Sequence, residues 1–170
     1  FPVPKLSNGL DNVLVIVDKM TRFVKLVACK RTCTAADVAN LFFQSWICLG
    51  FSLPKTIITD RDTRFVSHFW KELMTLLDIK QVLPTARHQQ TNGAAEAVVK
   101  AAKNSLRSIP DAQSKWDQLL APIGLALNTA VHSSTGFPPL YLQLGIHPTT
   151  NSTLRPPLFA HHQILQEAII

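Results

Sequence analysis

Asn12–Asp18 (NVLVIVD) is an unbroken apolar run rich in valine and bounded by Asn8-Gly9, which predicts a buried strand. Phe23–Ala28 (FVKLVA) follows after a four-residue gap, so the two runs predict an antiparallel hairpin. Thr34 can cap a helix over Ala35–Leu49, with Val38, Leu41, Phe42, Ser45 and Trp46 on one stripe. Gly50 stops that helix and Pro54 bars its return. Thr56–Thr59 is a short strand ending at Asp60, Phe69–Leu77 a helix with an aromatic start, and Lys80–Leu83 a second short strand. From Thr85 to Gly93 the chain is polar and aperiodic, a loop. Three helices then follow, over Ala94–Arg107, Trp116–Val131 and Pro138–Leu144. Beyond Pro148 the pattern weakens into a linker or tail. A hairpin followed by alternating helices and strands predicts an α/β domain, a mixed sheet with helices on its faces.

Composition narrows the class. The 170 residues suit one domain able to bury a core without staples. A hydrophobic fraction of 46% excludes a disordered tail, and no apolar run approaches the length a membrane span needs. Cys29, Cys33 and Cys48 are an odd count without CxxC spacing. They argue against a disulfide framework or a zinc site, and for reduced thiols in an intracellular protein. A net charge of +6 suggests a polyanionic partner. Phe1-Pro2-Val3-Pro4 reads as the middle of something, a segment of a longer polypeptide.

Two places can carry chemistry. Asp60 stands at the end of a strand with Asp62 in the turn behind it. Ligands gather outside the carboxyl ends of strands in open α/β sheets, and a carboxylate there can hold a metal. It can equally bind turn N–H groups, a common use of Asp. Glu96 lies in the first turn of its helix, where an acid also suits the helix dipole. Ala95, Val98, Val99, Ala102 and Leu106 form the apolar stripe of that helix, while Glu96, Lys100, Lys103 and Arg107 share the other face. One acid at the head of a basic ridge fits a metal-binding carboxylate with a phosphate track behind it. It also fits a surface Glu96–Lys100 pair.

Thirty-five residues separate Asp60 from Glu96, within Ile58-Thr59-Asp60-Arg61-Asp62-Thr63-Arg64-Phe65 and after His88-Gln89-Gln90-Thr91-Asn92-Gly93. This arrangement resembles the catalytic core of retroviral and long-terminal-repeat retrotransposon integrases, closest to the Ty3/gypsy type, with their D,D-35-E triad on a ribonuclease H-like fold. Further matching stretches are Val15–Met20, Phe69–Leu73 and Asn128 through His132-Ser133-Ser134-Thr135-Gly136 to Pro139. The resemblance runs from Asn12 to about Pro148. It implies a core domain over 1–148 with a linker or tail over 149–170. It also implies a five-stranded mixed sheet flanked by helices, whose first strand is truncated or absent. The second and third acids of the triad fall on Asp60 and Glu96. The first is expected just upstream of Phe1-Pro2. Asp18 matches a strand residue outside the triad and reads as a strand-end or turn acid.

The implied mechanism is phosphoryl transfer by two Mg²⁺ (or Mn²⁺) ions held about 3.5–4 Å apart by the carboxylates. The implied activity is 3′-end processing and strand transfer into double-stranded DNA, within a larger integrase or polyprotein. A homodimer or higher oligomer is implied, in the nucleus after a cytoplasmic phase in a retroelement particle, with no membrane partner. Arg61, Arg64, His88, Lys100, Lys103 and Arg107 are the candidate DNA contacts.

The chain also departs from the family pattern. Gln89 replaces a usual Pro and Asn92 a usual Asp. Ala94-Ala95 replaces a polar pair, Ala97 an Arg and Val99 a frequent Asn. Those changes support a second reading, a catalytically inactive, degenerate or host-captured module that binds DNA or protein. Trp46, Trp70 and Trp116 fall on helical stripes and are expected in the core.

Overall fold

The computed structural model describes residues 1–83, 93–109 and 112–145. The expected loop around His88 and the tail beyond Gly145 lie outside the described residues. Strands β1 (Asn12–Val17) and β2 (Val24–Cys29) form the expected antiparallel hairpin, in a register pairing Asn12 with Cys29 and Val17 with Val24. Its turn is built on Asp18. One carboxylate oxygen accepts from the Met20 and Thr21 backbone N–H groups and from the Thr21 hydroxyl. Asp18 is thus the turn acid its position implied.

Helix α1 (Ala35–Ser45) opens on a full capping box, in which Thr34 and Asp37 satisfy each other's backbone N–H. It ends four residues earlier than the periodicity suggests, because Ile47–Leu49 tightens into a 3₁₀ turn before Gly50 takes a left-handed conformation. Strand β3 (Thr56–Ile58) leads into a short helix α2 (Thr63–Val66), then α3 (His68–Leu76) and β4 (Lys80–Val82). Strands β3 and β4 run parallel. Helices α4 (Gly93–Ser108), α5 (Ala112–Thr129) and α6 (Pro139–Leu144) complete the chain. Lys115 breaks the helical backbone inside α5. The regular helix therefore begins at Trp116, as the sequence pattern predicts.

Among the described residues four strands form two pairs, β1–β2 and β3–β4. The expected opening strand survives as Phe1–Val3 along the other side of β1. There Phe1 exchanges two backbone hydrogen bonds with Val13, Val3 N–H donates to Asp11, and Pro2 bridges Asn12.

Side chains alternate across the hairpin and feed two cores. On one face Val13, Val24 and Leu26 pack with Ala102 of α4 and Trp116, Leu120 and Ile123 of α5. On the other, Leu14 packs against Val38, Ala39, Trp70 and Met74 of α1 and α3. Helices therefore cover both faces, as expected.

All three tryptophans are buried. Trp116 donates its indole N–H to the Pro4 carbonyl at 2.8 Å, while the Trp70 N–H has no hydrogen-bond partner among the described residues. Trp116→Phe orphans a carbonyl and Trp70→Phe removes an unpaired donor. We expect Trp116→Phe to destabilise by about 1–2 kcal/mol more than Trp70→Phe in urea unfolding.

Candidate active site

Asp60 follows β3 directly and is exposed; its Oδ1 accepts the Asp62 backbone N–H at 3.2 Å. The loop carrying it is fixed from below. Gln81 of β4 donates to the Thr59 hydroxyl at 2.9 Å and to the Phe65 carbonyl at 2.8 Å, joining the end of β3 to the end of α2. Thr59 is itself buried, and its N–H bonds Val82. Sequence reasoning missed both residues, since a Gln in a three-residue strand carries no periodic signal.

Asp62 caps α2 through the Arg64 N–H and receives the Arg64 guanidinium on both oxygens at 2.7 Å. Arg64, a candidate DNA contact from the sequence, is paired with Asp62 in this structure. The Arg64 hydrogen bond holds the Asp62 carboxyl below the usual carboxylate range, against the opposing effect of partial burial. A depressed carboxyl stabilises the fold above its unfolded pKa and loses that contribution as pH falls through its folded value. The native chain should therefore lose stability below about pH 4 that Asp62→Asn does not lose. The difference should be about 1 kcal/mol or less for a pair this open to solvent, read from denaturation at stepped pH.

Glu96 is exposed on the first turn of α4. Among the described residues it makes no ion pair with Lys100, and Asp60 makes none with Arg61 or Arg64. Both acids are free of cationic side chains. Lys100 and Arg107 are exposed along the same ridge, and Arg61 is exposed beside Asp60. Lys103 is half-buried, with its ammonium 5.3 Å from the centroid of the Phe1 ring.

The opening segment lies against β1 through Phe1 and Val13, and against the ridge of α4 through Phe1 and Lys103. Glu96 lies two turns before Lys103 on that ridge, about 10.5 Å along the axis.

The departures at positions 94 and 97 have a structural consequence. Ala94 and Ala97 line a cavity of about 120 Å³ between α4 and the hairpin, with Arg22, Val24, Leu127 and His132. They sit off the Lys100–Arg107 ridge.

Two exposed carboxylates without cationic partners are hard oxygen donors suited to Mg²⁺ or Mn²⁺. No group of three or more metal-ligating side chains occurs among the described residues. The donor types fit a divalent cation in kind. His88 lies outside the described residues.

No family model matches the chain. The Tf2-3 and Tf2-4 transposon polyproteins of Schizosaccharomyces pombe (strain 972 / ATCC 24843) are each 28% identical over 134 residues, 78% of this chain. The chain spans about a tenth of the length of these curated relatives. Among solved structures, the catalytic core domain of BIV integrase superposes with a TM-score of 0.65 at 18% identity, covering 85% of this chain and 91% of that one. The HTLV-2 integrase catalytic core domain in complex with magnesium, in its trimeric form, gives 0.58 at 21% identity, covering 77% and 83%. Its dimeric form gives 0.56 at 23%, covering 78% and 83%. This chain is homologous to the Tf2 retrotransposon polyproteins and has the ribonuclease H-like fold of the retroviral integrase catalytic cores.

Proposed function

We propose that this chain is the catalytic core of a retrotransposon integrase, acting in metal-dependent DNA strand transfer as part of a larger polyprotein product. The observation that carries the reading is the pair of exposed acids without a cationic partner among the described residues, Asp60 just after β3 and Glu96 on the first turn of α4, with thirty-five residues between them. Asp60 and Glu96 would hold the divalent cation. The chemistry a cation held there would supply is activation of a nucleophilic oxygen at neutral pH and stabilisation of charge on the departing oxygen. The remaining work belongs to the chain. The Thr59–Gln81–Phe65 hydrogen bonds hold the Asp60 loop in place, and the α4 dipole favours negative charge at Glu96. Arg61, Arg64, Lys100, Lys103 and Arg107, with His88, supply positive charge for the DNA backbone.

The core is assigned to 1–148 and the tail to 149–170. A homodimer fits Leu125, Leu142 and Leu144, which stand exposed on α5 and α6. No helix among the described residues is long and apolar enough to cross a membrane. The assigned compartment is the nucleus, after a cytoplasmic particle phase. A second reading, an inactive module that binds DNA or protein, is favoured by Ala94 and Ala97 lining a cavity where the family pattern is polar.

The deciding experiment is a Mn²⁺-dependent disintegration assay, the reverse of strand transfer, on a chain extended upstream through the opening strand. Turnover supports the catalytic core. A folded, extended protein that contains the first acid and stays silent leaves the inactive module.

A further inference from the structure

Cys29 and Cys33 belong to one structural unit. Cys29 ends β2 and is 4% exposed. The chain then turns through Arg31 and Thr32, closed by a hydrogen bond from the Cys33 N–H to the Lys30 carbonyl at 3.1 Å. That turn folds Cys33 back onto Lys30, the residue next to Cys29. Both cysteines line one open groove of about 400 Å³, with Lys30, Thr32 and Asp37. Their faces agree as well. The even residues Val24, Leu26 and Ala28 point to the α4–α5 core, so Cys29 points to the opposite side. Cys33 is on that side too, packed against the core formed by α1 and α3.

Their surroundings divide the labour. Cys33 is half-buried at the groove, open to a small oxidant. The Cys29 thiol is pushed up by burial first and by the Cys33 charge second, while the Leu14 backbone N–H and the charge of Arg64 oppose the shift. Burial keeps the oxidant from Cys29, so Cys33 is oxidised first and Cys29 follows as the local structure opens to it.

We propose that Cys29 and Cys33 form a reversible oxidation site, closing to an intramolecular disulfide in the presence of a peroxide. In the first step Cys33 thiol and hydrogen peroxide give Cys33 sulfenic acid and water. In the second, the Cys29 thiolate attacks the sulfenic sulfur, the S–S bond forms, and hydroxide departs with the Cys29 proton as water. Two thiols and one peroxide thus yield one disulfide and two waters. A dithiol restores the reduced form by exchange. The site is independent of the strand-transfer reading.

The test treats folded Cys48→Ser protein with hydrogen peroxide, blocks remaining thiols, and maps tryptic peptides. Trypsin cuts at Lys30 and Arg31, between the two cysteines, so the disulfide joins peptide 26–30 to peptide 32–55. The expected result is that joined pair, with intact mass lower by two hydrogens and full reversal by dithiothreitol. Its rate should rise from about pH 7 to pH 9, as more Cys29 ionises. Cys33→Ser should abolish it and leave Cys29 reduced. Recovery of Cys33 as sulfinic acid with Cys29 still free would overturn the proposal, as would crosslinking only between molecules.

Discussion

Asp60→Asn and Glu96→Gln are each expected to cut Mn²⁺-dependent disintegration by about 10³-fold or more in the upstream-extended protein, equivalent to about 4 kcal/mol of barrier. A neutral amide keeps the shape of the carboxylate and loses the charge that holds a divalent cation. The structure makes this a clean test, because both acids are exposed and neither has a cationic partner among the described residues. Removing either charge strands no buried group. Stability should therefore change by less than about 0.5 kcal/mol for Asp60→Asn. Glu96→Gln should lose a few tenths more, since Glu96 faces the positive end of α4. Activity collapsing at constant stability identifies these residues with the chemistry. Undiminished turnover in either variant removes that residue from the site.

Asn128→Ala should produce the largest loss of stability of any single substitution considered, about 2–5 kcal/mol. Asn128 is 5% exposed on α5. Its Oδ1 accepts the Val24 N–H at 2.7 Å and its Nδ2 donates to the Val24 carbonyl at 2.8 Å. The side-chain amide thus completes β2 where no neighbouring strand is present among the described residues. Truncation leaves two buried backbone groups unpaired, each costing about 1–3 kcal/mol. The total stability of an ordinary domain is about 5–15 kcal/mol, so the variant should be partly unfolded under mild stress. Urea unfolding checks this as a fall in midpoint at unchanged slope. Asn128→Asp should fail as well, because it keeps the acceptor for the Val24 N–H but loses the donor to the Val24 carbonyl. A loss below about 1 kcal/mol for Asn128→Ala would mean that water replaces the amide at this edge.

The two variants separate what could be read along the chain from what could not. Asp60 and Glu96 were legible because their signal is local. One is a strand-end acid and the other a first-turn acid, and their spacing together with the flanking residues carries the family resemblance. Asn128 fell inside a stretch that matched the same family, yet its role as a strand partner was invisible. It acts on Val24, more than a hundred residues away. The same holds for Gln81, which fixes the Asp60 loop through Thr59 and Phe65, and for Trp116, which anchors the Pro4 carbonyl.

Helix and strand positions were read from periodicity with shifts at their ends. Helix α1 stops at Ser45 where the sequence predicts a helix to Leu49, since hydrophobic spacing does not distinguish an α-turn from a 3₁₀ turn before Gly50. Helix α2 was missed because four residues are too few to show a period. Lys103 shared the face of Glu96, Lys100 and Arg107 in the pattern, and in the fold it lies half-buried over Phe1. A helical wheel assigns a direction around the axis, and only a neighbouring element decides whether that direction meets solvent.

The sequence by itself determined the order and kind of the main elements, the hairpin, the two candidate acids and the basic ridge, because each rests on residues close together in the chain. The tertiary structure alone decided the hydrogen bonds of Asn128 to Val24 and the half-burial of Lys103 over Phe1. It alone decided the cavity beneath Ala94 and Ala97 and the shared groove of Cys29 and Cys33. Those arrangements follow from how the layers pack, and packing is set by contacts between distant segments that no local pattern of residues encodes.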